Sequence, residues 1–295
     1  MAKRANKRST HNPTLLLAFI TADRVEDIIL YRIPKLYTSL AKYYDRLESQ
    51  YRDYEHDSQW IAEALLSHRA RNVLDVSCGT GNHISKLAAS NPELQIYAMD
   101  SSKEMIDIAR RKAASQHIQY LLADFINLPF AVNSFDSAIC MYWSLAGLDE
   151  ELTLKLFKGL ASSLSRDGIF LFDVENAEGI KENLIDAPFI DSFFFTDDER
   201  EQGKNSEIKR RKAVIRANYS RKVETDVIDW HAYYLIEEGG VSELSEDRMQ
   251  LRFYSRSQLE RLLSESGFET LRVSSGPFEH YQAYSPSLYF IARKK

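Results

Sequence analysis

The feature that most constrains the fold is an alternation of short β-branched runs with helical segments between Val73 and Asn176. "NVLDVS" reads as a strand, "GNHISKLAAS" as a helix and "LQIYAMD" as a second strand. "SSKEMIDIARRKAA" is a helix opened by a serine cap with Glu104 close behind. "IQYLLAD" and "FDSAICMYW" make a third and a fourth strand, "DEELTLKLFKGLASSLS" a helix, and "DGIFLFDVEN" a fifth strand. Strands and helices at this spacing are βαβ units, so an α/β fold is predicted, with a doubly wound, mainly parallel sheet. Right-handed crossovers put the strand C-termini on one edge, where open α/β sheets bind ligands.

The texture differs on either side of this core. From Thr14 to Leu66 the pattern is mostly helical and broken at Pro34. After Asn176 the chain is rich in charge, Tyr and Phe and alternates with period two around Gly239-Gly240, which argues for antiparallel strands. Helix and strand resume with "SRSQLERLLSESG" and "FETLRVSSG", and "SPSLYFIARKK" closes the chain. The division expected is a tail and helical lid over 1–66, an α/β domain over 67–176 and 253–295, and an antiparallel insert over 177–252 that walls the substrate site.

Lys3, Arg4, Lys7 and Arg8 precede the apolar run Leu15 to Ile20, in the manner of a weak signal or transit segment. That run is short, and Asp23, Arg24, Glu26 and Asp27 follow at once, so the reading is a basic tail with a surface or interface helix. No stretch reaches the ~18 apolar residues of a membrane span. Cys78 and Cys140 lack ligand-like spacing, which implies neither a disulfide framework nor a metal site. A cytoplasmic location is the simplest expectation. The net charge of −5 argues against a dedicated nucleic-acid binder. The basic run Lys209 to Lys212, with Arg216, Arg221 and Lys222, reads as a solvated face, with an anionic substrate or RNA as the other reading.

"LDVSCGTGNH" is a tight turn directly after the first strand. It fails as a phosphate loop, because no Gly-Lys-Ser/Thr follows, and Ile84 stands where a dinucleotide fingerprint needs its third glycine. The turn resembles motif I of class I S-adenosylmethionine-dependent methyltransferases, supplied here by Asp75, Ser77, Gly79 and Gly81. The match covers Val73 to Asn176 and, more loosely, the last forty residues; Ser77 replaces the family's first glycine. The resemblance implies a Rossmann-like methyltransferase fold, a doubly wound, mainly parallel seven-stranded sheet, with S-adenosylmethionine as cofactor. The glycines would let backbone approach the methionyl end, with Asp75 acting on its ammonium. Asp100, ending the second strand, would accept both ribose hydroxyls, followed by Ser101, Ser102 and Met105. Ala123, Asp124 and Phe125 fall where the family holds the adenine.

"AKYYDRLESQYRDYEHD" resembles the N-terminal lid of small-molecule N-methyltransferases of the glycine and amino-sugar kind, with Tyr44-Asp45 and Asp53-Tyr54 in matching order. Taken alone, Tyr43, Tyr44, Tyr51 and Tyr54 read first as the buried face of a helix. The resemblance implies that Tyr44, Tyr54, Met141 and Tyr142 line the methyl-transfer site. The loop "CMYWSLAGLDE" lacks the Asn/Asp-Pro-Pro-Tyr signature of base-amine and protein-amide methylation, and Leu148 stands where sugar N-methyltransferases place a histidine. Tyr44, Tyr142, Glu175 and His231 are therefore the catalytic candidates, the last two as bases. The function expected is transfer of methyl to a small-molecule acceptor, foremost an amine. An RNA methyltransferase, a cofactor-binding protein without turnover, and a homo-oligomeric state stay open.

Overall fold

The computed structural model of the chain describes residues 33–112, 117–179, 189–197, 210–224, 226–282 and 285–295, with backbone alone for 189, 191–197 and 210–212. The basic tail, its apolar run Leu15 to Ile20 and Lys209 lie outside the described residues. In chain order a 3₁₀ turn, Lys35–Tyr37, leads into α1 (Ala41–Glu48) and α2 (Tyr54–Ser67). Then come β1 (Asn72–Asp75), α3 (Asn82–Ser90), β2 (Gln95–Asp100), α4 (Lys103–Lys112), β3 (Ile118–Leu122), β4 (Phe135–Cys140), α5 (Glu150–Ser163) and β5 (Leu164–Glu175). Strands β6 (Phe189–Asp197), β7 (Arg210–Lys222), β8 (Val227–Glu238) and β9 (Val241–Arg252) follow, then α6 (Arg256–Glu265), β10 (Phe268–Ser274) and β11 (Ser287–Lys294).

The seven-stranded sheet has the order β10-β11-β5-β4-β1-β2-β3. β1 pairs in parallel with both β2 and β4, so strand order reverses there and leaves a crevice beyond their C-terminal ends. β11 runs antiparallel between β5 and β10. One sheet face carries Leu74, Met99, Phe170, Phe172 and Phe290 under Leu156 and Phe157 of α5 and Leu259 and Leu262 of α6. The other carries Val73, Ile96, Ile139 and Leu171 under Trp60, Ile61 and Leu65 of α2 and Leu87 of α3. Each such side chain stabilises the fold by roughly 1.5–3 kcal/mol on burial. The helix starts follow local chemistry. Ser102 Oγ accepts from Met105 N at 3.1 Å, Asp149 caps α5 through Leu152 N at 2.8 Å, and Ser255 with Gln258 forms a reciprocal capping box on α6.

The second sheet, β6-β7-β8-β9, is antiparallel throughout. β8 and β9 are joined by Gly239 and Gly240 at φ +64° and +81°, the paired positive values a two-residue hairpin loop requires. Its face formed by Val214, Ala232, Tyr234 and Ile236 packs on Leu36, Leu40, Tyr43 and Leu47, which fixes the N-terminal helix on this sheet. Polar contacts pin the same seam. Asp247 accepts from Lys35 N at 2.7 Å and Leu36 N at 2.8 Å, and Glu238 accepts from Lys42 Nζ and Tyr43 Oη at 2.7 Å each. Among the described residues no helix is long and apolar enough to cross a membrane, and no cluster of three His, Cys, Asp or Glu could hold a metal. Cys78 and Cys140 are buried free thiols.

Candidate active site

A cavity of about 780 Å³ opens beyond the C-terminal ends of β1 and β4. Ser77, Gly79, Asp100, Ser101, Met105, Asp124, Phe125 and Met141 line it, together with Tyr44, Tyr54 and Tyr142. Asp75, Gly81 and Ala123 belong to the same strand ends without lining the cavity, and neither do Glu175 and His231.

The glycines of the turn are needed for different reasons. At Gly79, φ is +53° and an added Cβ would meet nothing within 4 Å, so bare backbone faces the cavity. At Gly81, φ is +76° and a Cβ would press on Ala109 Cβ of α4 at 3.2 Å, so this glycine serves packing. The Ser77 hydroxyl lines the cavity and donates to Ser144 Oγ at 2.8 Å, tying the first turn to the loop after β4. Asp100 accepts from Gly79 N at 2.9 Å and Ser102 N at 2.8 Å, which aims its carboxylate between the turn and α4. Burial raises its pKa. Asp75, beneath the turn, accepts from Ser77 N at 3.3 Å, and burial, with Asp100 nearby, pushes its carboxyl up to about 7. Asp124 accepts from Ile126 N at 2.9 Å, which shapes the short turn after β3.

The loop after β4 departs from the strand expected through Trp143. β4 ends at Cys140, and Tyr142 and Trp143 take left-handed φ values of +65° and +59°. Such conformations cost roughly 1–3 kcal/mol each away from glycine and need something to hold them. Asp173, fully buried on β5, does this: its Oδ1 accepts from Tyr142 N at 2.6 Å and from Trp143 N at 3.3 Å. Its Oδ2 pairs with Arg52 at 2.7 Å. Arg52 also pairs with Asp57, which accepts from Tyr289 Oη at 3.2 Å and contacts His83 Nε2 at 3.1 Å. Burial works against the Arg52 charge, but Asp173, Tyr289 and Asp57 outweigh it and raise its pKa. Asp57 is held below the usual carboxylate range, since His83 and Arg52 overcome its burial.

The helical segment closes the cavity from above. Asp45 accepts from Thr80 Oγ1 at 2.5 Å, Asn82 Nδ2 at 2.9 Å and Lys112 Nζ at 2.6 Å, clamping α1 onto the glycine turn. Asp53 caps α2, accepting from Glu55 N at 3.1 Å and His56 N at 3.0 Å. Tyr54 sits edge-on to His83 and Tyr142, with ring centroids 4.9 and 6.0 Å apart. Tyr142 Oη donates to Glu48 Oε2 at 2.7 Å, and Arg216 of β7 meets Glu48 Oε1 at 2.6 Å. Burial, reinforced by Glu48, raises the Tyr142 phenol, and burial also raises Tyr44 and brings Tyr54 to about 12. All three are neutral phenols at physiological pH.

The proposed bases stand apart. Glu175 ends β5 half-buried, pushed up to about 7 by burial with Asp173 adding to it. His231 lies on the outer face of the second sheet, with Nδ1 2.8 Å from Tyr219 Oη. Leu148 itself lines the cavity, buried beside the Ser144–Gly147 turn. Sequence reasoning gave no role to Glu48, Arg52, Asp57 or Asp173, and it put Arg216 on a solvated basic face, whereas Arg216 is buried and paired with Glu48 because its strand turns it inward. Asp173 in "IFLFDVE" and Arg216 in "AVIRANY" are isolated charges inside apolar stretches, whereas Glu48, Arg52 and Asp57 lie in a charge-rich segment that gives no such signal.

Residues 73–168 match the family described as "Methyltransferase domain". YqeM of Bacillus subtilis, a protein itself put forward as a methyltransferase, is 27% identical over 262 residues, spanning 88% of this chain and 97% of that one. A solved S-adenosylmethionine-dependent methyltransferase from Clostridium acetobutylicum superposes with a TM-score of 0.69 at 21% identity, covering 87% of this chain and 98% of that one. The sugar N-methyltransferase KedS8 from Streptoalloteichus superposes with a TM-score of 0.65 at 21% identity, covering 85% and 93%. At these identities the solved structures bear on the fold.

Proposed function

We propose that this S-adenosylmethionine-dependent methyltransferase of class I fold methylates an amine on a small molecule. The observation that carries the reading is the wall of Tyr37, Tyr44, Tyr54, Tyr142 and Trp143 on the cavity, with the Glu48 carboxylate behind it on Tyr142 Oη. Aromatic faces attract a cation by roughly 0.5–2 kcal/mol, more when it is desolvated. An amine acquires positive charge as it is methylated, so such a wall favours the product-like state over the neutral reactant.

The residues present fit the cofactor. Gly79 leaves room where a side chain would obstruct, and the carboxylates of Asp100 and Asp124 face the same cavity. In this reading Gly79 and Ser77 receive the methionyl end, with Asp75 below them and Gly81 holding the turn against α4. Asp100, with Ser101, takes the ribose, while Ala123, Asp124, Phe125 and Met105 surround the adenine; Met141, Tyr44 and Tyr54 border the sulfur. When bound, S-adenosylmethionine would supply a sulfonium methyl to which the acceptor lone pair bonds in line, as the S–CH3 bond breaks and S-adenosylhomocysteine leaves. The protein's share is alignment, which can be worth roughly 7–11 kcal/mol. Tyr142 Oη spends its proton on Glu48 and keeps its lone pairs for an acceptor N–H, which turns the nitrogen lone pair away from the phenol. Leu148 brings no base to the cavity, so in this reading the acceptor binds as the neutral amine, and the ammonium formed on methyl transfer then releases its proton.

Incubation of the protein with methyl-labelled S-adenosylmethionine and a mixture of small amines, carboxylic acids and phenols tests this. Label on amine nitrogen is expected. Label confined to esters or ethers would overturn the amine assignment.

A further inference from the structure

The N-terminal helical segment is fastened to the two sheets by different means. On the second sheet it rests on an apolar cluster, Leu36, Leu40, Tyr43 and Leu47 against Val214, Ala232, Tyr234 and Ile236, which includes no residue of the α/β domain. Toward the α/β domain it is held by polar bonds. Ser102 Oγ donates to Tyr37 O, Tyr142 Oη donates to Glu48, and Asp45 accepts from three donors. Separating α1 from the second sheet would expose apolar surface, whereas parting it from the α/β domain breaks bonds that water can replace. The second seam is the one that can open.

The bonds around Asp45 close on themselves. Lys112 Nζ, at the C-terminal end of α4, donates to Asp45 Oδ2 at 2.6 Å, Thr80 Oγ1 at 3.1 Å and Asn82 Oδ1 at 2.5 Å, which spends its three protons. Thr80 Oγ1 and Asn82 Nδ2 in turn donate to Asp45 Oδ1, at 2.5 and 2.9 Å. Four side chains thus join α1, the glycine turn and the end of α4. Thr80 and Asn82 flank Gly81 and line the cavity, whereas Asp45 and Lys112 do not. The Lys112 and Asp45 side chains are 28% and 37% exposed, so water and salt reach the ion pair. The second sheet is pinned to the α/β domain just past β9, where Tyr254 Oη donates to Leu148 O at 3.0 Å and lies 2.8 Å from Thr153 Oγ1.

We propose that the cluster of Asp45, Thr80, Asn82 and Lys112 is a latch on cofactor exchange, with Asp45 and Lys112 as positioning residues that hold α1 over the glycine turn. S-adenosylmethionine enters and S-adenosylhomocysteine leaves when the latch parts, and the second sheet swings with α1 about its Tyr254 end. The inference rests on the cofactor and is independent of the acceptor. Because neither Asp45 nor Lys112 lines the cavity, weakening the latch eases opening equally with the cofactor inside or outside. Entry and exit therefore accelerate together.

The test follows association and dissociation of S-adenosylhomocysteine with the full chain, by stopped-flow fluorescence and by chase of the labelled compound. Asp45→Asn and Lys112→Met should each raise both rates about five-fold, with Kd changed less than two-fold. The double variant should match the single ones, since either change removes the same ion pair. Raising salt from about 0.05 to about 0.5 M should speed exchange in the wild-type protein and leave Lys112→Met nearly unaffected. Glu238→Gln, which loosens α1 from the second sheet and not from the turn, should leave both rates unchanged. Rates unchanged in both latch variants, faster dissociation alone with Kd weakened in proportion, or equal acceleration in Glu238→Gln would each overturn the latch. Spin labels on Leu66→Cys of α2 and Leu244→Cys of β9, exposed at 56% and 70%, read the swing. Their distance distribution should broaden in Asp45→Asn. An unchanged distribution beside faster exchange would show that α1 moves alone and refute the joint motion.

Discussion

Asp173→Asn probes the ionic network that holds the loop after β4. The side chain is fully buried and accepts from two successive amides, at 2.6 and 3.3 Å, while pairing with Arg52 at 2.7 Å. Asparagine fits the same space and can still present one oxygen to the amides, but its NH₂ then faces the guanidinium. Arg52, whose side chain is 6% exposed, keeps Asp57 as a counter-charge. Removing one partner of a buried pair typically costs about 3–5 kcal/mol, and the remaining Asp57 puts this case near the lower end, at about 3 kcal/mol. The cost is read from urea unfolding as the midpoint change multiplied by the slope. Pairing the change with Arg52→Met completes the test, because the double variant buries no unmatched guanidinium at this position. It should therefore be more stable than the sum of the single losses by at least 1 kcal/mol, on the scale of couplings within one network. A loss below about 1 kcal/mol for Asp173→Asn, or strict additivity in the cycle, would refute the reasoning.

Asp75, raised to about 7 from 3.8, is favoured in its protonated form by the fold. The stability it contributes is complete below pH 3.8 and is lost as pH rises toward 7, so Asp75→Asn should flatten the decline of unfolding free energy across that window. Glu175→Gln should act with the same sign between 4.5 and about 7. Asp100→Ala should weaken calorimetric S-adenosylhomocysteine binding at least ten-fold by removing a charged acceptor, and unchanged affinity would show that the ribose is held elsewhere. Gly79→Ala should cut the same affinity with about 1 kcal/mol of stability lost to its positive φ, whereas Gly81→Ala should cost more stability through its 3.2 Å contact with Ala109. Tyr142→Phe should slow label transfer by about ten-fold while cofactor binding holds, since it removes a hydrogen bond made beside the acceptor.

Much of the fold was legible in local pattern. Period-two and helical runs anticipated β1 to β5 and the helices between them, and the serine and aspartate caps stand where their residue types imply. Gly239-Gly240 announced the β8–β9 hairpin because few other residues accept two positive φ values in succession. Most cavity-lining residues from Ser77 to Met141 were legible for the same kind of reason: apart from Met105, on α4, they follow the end of a strand, and strand ends in a doubly wound sheet converge on one edge.

The distant contacts were not. "FDSAICMYW" reads as strand to its end, yet Tyr142 and Trp143 turn left-handed because Asp173, thirty-one and thirty residues onward, accepts both amides. Nothing near Asp173 in the sequence names Arg52, and nothing near Glu48 names Arg216, 168 residues away. His231 shows the difference most clearly. As a sequence feature it was a histidine among aromatic residues and a candidate base, whereas the second sheet turns it away from the cavity and toward Arg248. Local periodicity and turn chemistry depend on neighbours in the chain, so the sequence alone determined the sheet, the glycine turn and the strand-end carboxylates. Ion pairs, burial and pKa shifts depend on which distant groups share a small volume, and that was decided by tertiary packing.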